Sequence, residues 1–152
     1  MKTAIITGAS SGLGREFARQ LTDIFPEIEC CWLIARREDR LEEIAREMVG
    51  VETVCLPLDL CDSMSFTTLQ EKLAAEKPEV AILINNAGIG EQKMIDETDD
   101  DWMMYVMNTN LGGPMRYIRE ALKIFLPKND GVIINVSSVN GTRPFCGATY
   151  TS

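Results

Sequence analysis

The chain contains no histidine. That absence removes the commonest general base and the commonest metal ligand, so any acid–base chemistry must fall to another residue type. A zinc pattern is absent too: the five cysteines are an odd number, and their spacings match none. No metal site is expected, and all five read as reduced thiols of a cytoplasmic protein. Cys30 and Cys31 are adjacent in a predicted strand, so their side chains should point to opposite faces. Basic residues are also in short supply. There are 15 Lys and Arg against 23 Asp and Glu, a net charge of −8, with no basic stripe. This balance excludes nucleic acid and an anionic membrane surface as expected partners. No apolar run approaches the roughly 20 residues of a membrane helix. The opening MKTAIITGA has too short an apolar run for a signal peptide. Repeats, low-complexity tracts and linkers are missing too, and 152 residues suit one domain, residues 1–152.

What is present is concentrated in residues 3–14, TAIITGASSGLG. A short apolar run ends at Thr7, a turn with Gly8, Gly12 and Gly14 follows, and an amphipathic segment starts at Leu13. Apolar run, glycine turn and helix start form the first βα unit of a nucleotide-binding fold. A backbone can approach a pyrophosphate closely only where no Cβ intervenes, and positive φ is cheap only for glycine. The N–H groups of the following helix then face the anion. The spacing is G-x-x-x-G-x-G, one residue longer than the common fingerprint, and Ser10 and Ser11 can add hydroxyl donors. The plain alternative is a βα turn with incidental glycines.

Strands are expected over residues 3–7, 30–35, 53–56, 80–84 and 132–136. The first helix is expected over 13–25, with Leu13, Phe17, Ala18, Leu21 and Ile24 at helical spacing. A second carries Leu41, Ile44, Ala45 and Met48 and stops at Gly50. A third is capped by Asp62 or Ser63 and turns Phe66, Leu69 and Leu73 inward. Thr98 and Asp101 read as a capping box for the next helix. Gly112-Gly113-Pro114 should interrupt it, and a further stretch should face inward through Met115, Ile118, Leu122 and Phe125. Alternating strands and helices imply an α/β, doubly wound parallel sheet of Rossmann type, strand order 3-2-1-4-5. Ligands in such sheets bind beyond the carboxyl ends of the strands. The polar residues fall there: the glycine turn, Arg36 and Arg37, Asp59, Asn86 and Ser138.

At this point the chain resembles the short-chain dehydrogenase/reductase family. The matching stretches are TGASSGLG at 7–14, LDL at 58–60, NNAG at 85–88, TNLGG at 109–113, and VSSVNG at 136–141 followed by Tyr150. The resemblance spans the whole chain. It implies an oxidoreductase that transfers a hydride between a nicotinamide cofactor and a ketone or secondary alcohol. The cofactor contacts would be Thr7, Gly8, Ser10, Ser11, Gly12, Leu13 and Gly14, with Asp59 and Leu60 at the adenine. Asn86, Ala87 and Gly88 would lie against the cofactor. Arg36 and Arg37 stand where an acidic residue would hydrogen-bond a ribose and repel a 2′-phosphate; two guanidiniums instead point to NADP, with Arg36 as the expected contact. Ser138 would stabilise the substrate oxygen. Tyr150 would transfer the proton, and Asn110 would hold a water in the proton relay.

One feature departs from the family. Its motif is Tyr-x-x-x-Lys, and the lysine would fall two residues beyond Ser152. The chain is therefore expected to be the N-terminal part of an enzyme, truncated after strand 5, inactive alone and a homo-oligomer when full length. A nucleotide-binding module without catalysis is the alternative. Substrate identity, beyond a small carbonyl or alcohol, is not encoded in these residues.

Overall fold

The computed structural model describes residues 1–143. Five parallel strands form its centre: β1 (Lys2–Thr7), β2 (Cys30–Ala35), β3 (Glu52–Pro57), β4 (Glu79–Asn85) and β5 (Val132–Asn135). Their order is β3-β2-β1-β4-β5, as the alternation of elements predicts. β1 pairs with β2 from Thr3 against Cys30 to Thr7 against Ile34. On its other side β1 pairs with β4, with a register shift between Thr3 and Ala4.

β2 is buried along its whole length, which is why its sequence is continuously apolar rather than alternating. Its residues divide between two cores. Cys31 and Leu33 face one side with Ala4 and Ile6. There they meet α1 (Gly12–Ile24) and α2 (Glu38–Glu47) through Ala18, Leu21, Leu41 and Ile44. Cys30, Trp32 and Ile34 face the other side with Ile5. There they meet α3 (Ser63–Glu76) and α5 (Gly113–Lys128) through Leu69, Tyr117, Ala121 and Phe125. The adjacent cysteines thus point to opposite faces, and two helices on each side cover the sheet.

Helix ends follow local chemistry. Asp62 caps α3, accepting from the N–H groups of Met64 and Ser65 at 3.2 and 2.8 Å. The expected Thr98–Asp101 capping box does not form. Asp99 caps α4 (Asp100–Met107), accepting from Trp102 N–H, and the Thr98 hydroxyl bonds back to Met94 O. Leu13 and Ile24, expected on the inner face of α1, are exposed.

Gly112-Gly113-Pro114 does not break the helix either. A π-helical segment, Asn108–Gly112, joins α4 directly to α5, and Gly112 and Gly113 keep helical φ and ψ. Pro114 has no N–H to give, and the wider turn is where a missing helical hydrogen bond is tolerated. The buried face of α5 is consequently Gly113, Tyr117, Ala121 and Phe125, while Met115 and Leu122 are exposed. Among the described residues, no helix is long and apolar enough to cross a membrane.

Candidate active site

A groove of about 800 Å³ opens along the carboxyl ends of the strands. Its walls include Gly8, Ser10, Ser11 and Leu13 after β1, and Arg36 and Arg37 after β2. Asp59 and Leu60 follow β3, Asn86, Ala87 and Gly88 follow β4, and Ser138 follows β5. Asn110, from the π-helical segment, completes the far wall. Thirteen residues separated by up to 130 positions in sequence are thereby brought to one cavity. Tyr150 lies outside the described residues.

The glycine turn divides its labour. Gly8 and Gly12 have φ of +67° and +54°, a region that strains any residue with a Cβ. A Cβ on Gly12 would meet nothing within 4 Å, so Gly12 presents bare backbone to open space. A Cβ on Gly14 would come within 2.2 Å of Gly8 O, so Gly14 lets the helix sit tightly under the turn. Ser11 precedes α1 in extended conformation, its side chain makes no capping bond, and the first turn carries no acidic residue. The N–H groups and positive dipole end of α1 are therefore uncompensated by the chain itself.

Thr7 and Gly14 do not line the groove; they hold its floor. The buried Thr7 hydroxyl donates to Ile84 O at 3.4 Å and accepts from the N–H groups of Asn86 and Ala87, each at 3.1 Å. The Asn86 amide donates back to Thr7 O and Gly8 O, each at 3.2 Å. The turn after β1 and the segment after β4 are thus stitched together. Asn110 plays a similar part on the far wall. Its carboxamide accepts from Ile89 N–H at 2.9 Å and donates to Ile89 O at 2.8 Å. Ser138 caps a short turn, Val139–Gly141, accepting from Asn140 N–H at 3.2 Å. Asp59 accepts from Cys61 N–H at 2.9 Å. Burial raises the Cys61 thiol above its ordinary range, so it is not a poised nucleophile.

Three residues escaped the sequence reading: Tyr105, Arg15 and Arg40. Arg36 donates to the hydroxyl of Tyr105, which lines the groove from α4. A second cavity of about 240 Å³ lies behind the glycine turn, walled by Ser10, Ser11, Gly12, Arg15, Arg37 and Arg40, with Glu43 and Ile44. The Arg15 Nε is buried and has no hydrogen-bond partner. A basic residue directly after the third glycine was the available signal for Arg15. Nothing local marked Tyr105. Among the described residues, no group of acidic or sulfur side chains could hold a metal ion.

A profile of the short chain dehydrogenase family matches residues 2–152. The chain is 38% identical over 153 residues to the NADP-dependent 3-hydroxy acid dehydrogenase of Schizosaccharomyces pombe, covering 97% of this chain and 58% of that protein. It is 32% identical over 141 residues to the 3-oxoacyl-[acyl-carrier-protein] reductase FabG of Escherichia coli, covering 93% and 56%. Among solved structures, a short-chain dehydrogenase from Sphingobium yanoikuyae in complex with NADPH superposes with a TM-score of 0.88 at 27% identity, covering 99% of this chain and 59% of that one. The chain spans about half the length of the curated relatives it matches. It belongs to the short chain dehydrogenase family.

Proposed function

We propose that this member of the short chain dehydrogenase family is an NADP-dependent oxidoreductase that interconverts a ketone and a secondary alcohol. The observation that carries the cofactor choice is the cavity behind the glycine turn. Three arginines, two serines and the bare backbone of Gly12 converge there, and the Arg15 Nε is buried without a partner. A ribose 2′-phosphate carries the acceptor oxygens that such a donor set can bind. Arg37 lines both cavities and is the central contact, with Arg15 beside it; Arg36, held by Tyr105, flanks the adenine end with Asp59 and Leu60. The pyrophosphate falls to the glycine turn and the N-terminus of α1. The NADP-dependent and NADPH-bound relatives are compatible with this choice.

When bound, the nicotinamide cofactor supplies or accepts the hydride. The remaining work belongs to the chain's own side chains. Ser138, at the end of β5, hydrogen-bonds the substrate oxygen and stabilises the charge that develops on it. Tyr150 gives that oxygen a proton in reduction and takes one in oxidation. Asn110, anchored on Ile89, stands at the relay position that replenishes the proton. The substrate class is a small carbonyl compound or the corresponding alcohol.

Fluorescence titration of NADPH and NADH tests the cofactor assignment. NADPH should bind more tightly. Arg37→Asp should cost NADPH roughly tenfold or more, as expected for a lost charge-assisted contact of about 1.5–3 kcal/mol. Equal affinities for the two cofactors in the unmutated protein sink the assignment. For catalysis, Tyr150→Phe should nearly abolish ketone reduction while NADPH still binds; near-normal turnover would remove Tyr150 as the proton donor.

A further inference from the structure

We infer that Glu47, at the end of α2 and outside both cavities, is a positioning residue for phosphate recognition. It acts by holding Arg15 in place before the cofactor arrives. The inference rests on the proposed 2′-phosphate pocket. Arg15 Nη2 donates to Glu47 Oε1. The other carboxylate oxygen of Glu47 is paired with Arg19 Nε at 3.4 Å. Arg15 and Arg19 stand one helical turn apart on α1, so their like charges repel in the absence of a shared acid. Glu47 bridges them and ties both to α2.

The geometry separates the two ends of the Arg15 head group. One outer nitrogen is spent on Glu47, the Nε is buried without a hydrogen-bond partner, and the residue itself lines the cavity. An arginine carries large rotamer freedom, and its planar fork is useful only when held in the right plane. Fixing such a side chain beforehand removes an ordering cost from binding. The bridge is also mechanically sound, because α1 and α2 are packed rigidly through Ala18, Leu21, Leu41 and Ile44. Arg40 in the same cavity is held differently, by Glu43 on its own helix at 2.9 Å. Of the two pocket arginines held by an acid, Arg15 is the one tied across from α1 to α2.

The test measures NADPH and NADH affinity on the intact protein for four variants: Glu47→Ala, Glu47→Gln, Arg15→Ala and the double Arg15→Ala/Glu47→Ala. Glu47→Ala should weaken NADPH by about two- to tenfold, the range expected for ordering one long side chain, and leave NADH within about twofold. Glu47→Gln keeps an oxygen acceptor for Arg15 and should restore most of the NADPH affinity. The double variant should lose no more than Arg15→Ala alone, because Glu47 acts through Arg15. Three results overturn the inference: equal losses for NADPH and NADH in Glu47→Ala, tighter NADPH binding in that variant, or additive losses in the double. If Arg15→Ala weakens NADPH selectively and Glu47→Ala does not, the phosphate pocket stands and the positioning role falls. If the unmutated protein shows no preference for NADPH, both fall.

Discussion

Thr7 shows how one hydroxyl can set the depth of a binding groove. It is fully buried, donates once and accepts twice, and all its partners belong to β4 or the segment after it. Valine has the same shape without the hydroxyl, so Thr7→Val leaves the N–H groups of Asn86 and Ala87 without their acceptor. Buried donors stranded in this way typically cost about 1–3 kcal/mol. We expect Thr7→Val to fall in that range in urea denaturation, with weaker cofactor binding alongside; unchanged stability would show that water satisfies those groups. The glycines of the same turn were legible in the sequence because positive φ and close approach are backbone requirements that only one residue type meets. Thr7 was legible as a site residue but not as a brace, since its partners lie nearly eighty positions away. Arg15 was marked only by its place after the third glycine, and its role was not, for a related reason. Where a long side chain points depends on an acid delivered by another helix, and no local pattern records that.

At the scale of the element, the instructive case is the run from α4 through the π-helical segment to α5. A Gly-Gly-Pro sequence ordinarily ends a helix, and the inner face of the next stretch was read as if counting restarted there. The wider π turn instead carries the helix through and shifts its phase. The buried stripe then falls on small and polar-tipped residues, Gly113, Tyr117 and Ala121, rather than on Met115 and Leu122. At Gly113 α5 packs close against Leu60, three residues past β3: a Cβ there would lie 2.8 Å from Leu60 Cβ. The same phase places Glu120 in a buried position on α5. Burial pushes its carboxyl up, but hydrogen bonds from Lys123 and Gln70, the Lys123 charge and a contact from Arg119 outweigh it, and the net shift is downward. A lowered folded-state pKa means stability that is present above the unfolded value and lost as pH falls through the folded one. Stability should therefore decline as pH drops below the usual glutamate range of about 4.3. Glu120→Gln should remove part of that decline. Urea midpoints at neutral and acid pH measure it, and an identical pH slope in the variant would show that Glu120 contributes nothing to the acid limb.

For the whole molecule, the strand order was legible because right-handed crossovers leave few topologies, and because the polar residues gather at one end of the sheet. The same order puts β5 at an edge. Among the described residues β5 pairs only with β4, and Val132 on it is 42% exposed. On α5, Met115 and Leu126 are 61% and 72% exposed. An unpaired strand edge offers a row of N–H and C=O groups to another chain, and adjoining apolar surface strengthens the attraction. A polypeptide of residues 1–152 should consequently self-associate, and light scattering on the purified chain reads this directly. Charges placed on the exposed positions, Val132→Lys with Leu126→Glu, should shift it towards monomer without lowering its unfolding midpoint. A monodisperse monomer with cooperative unfolding would remove the edge argument.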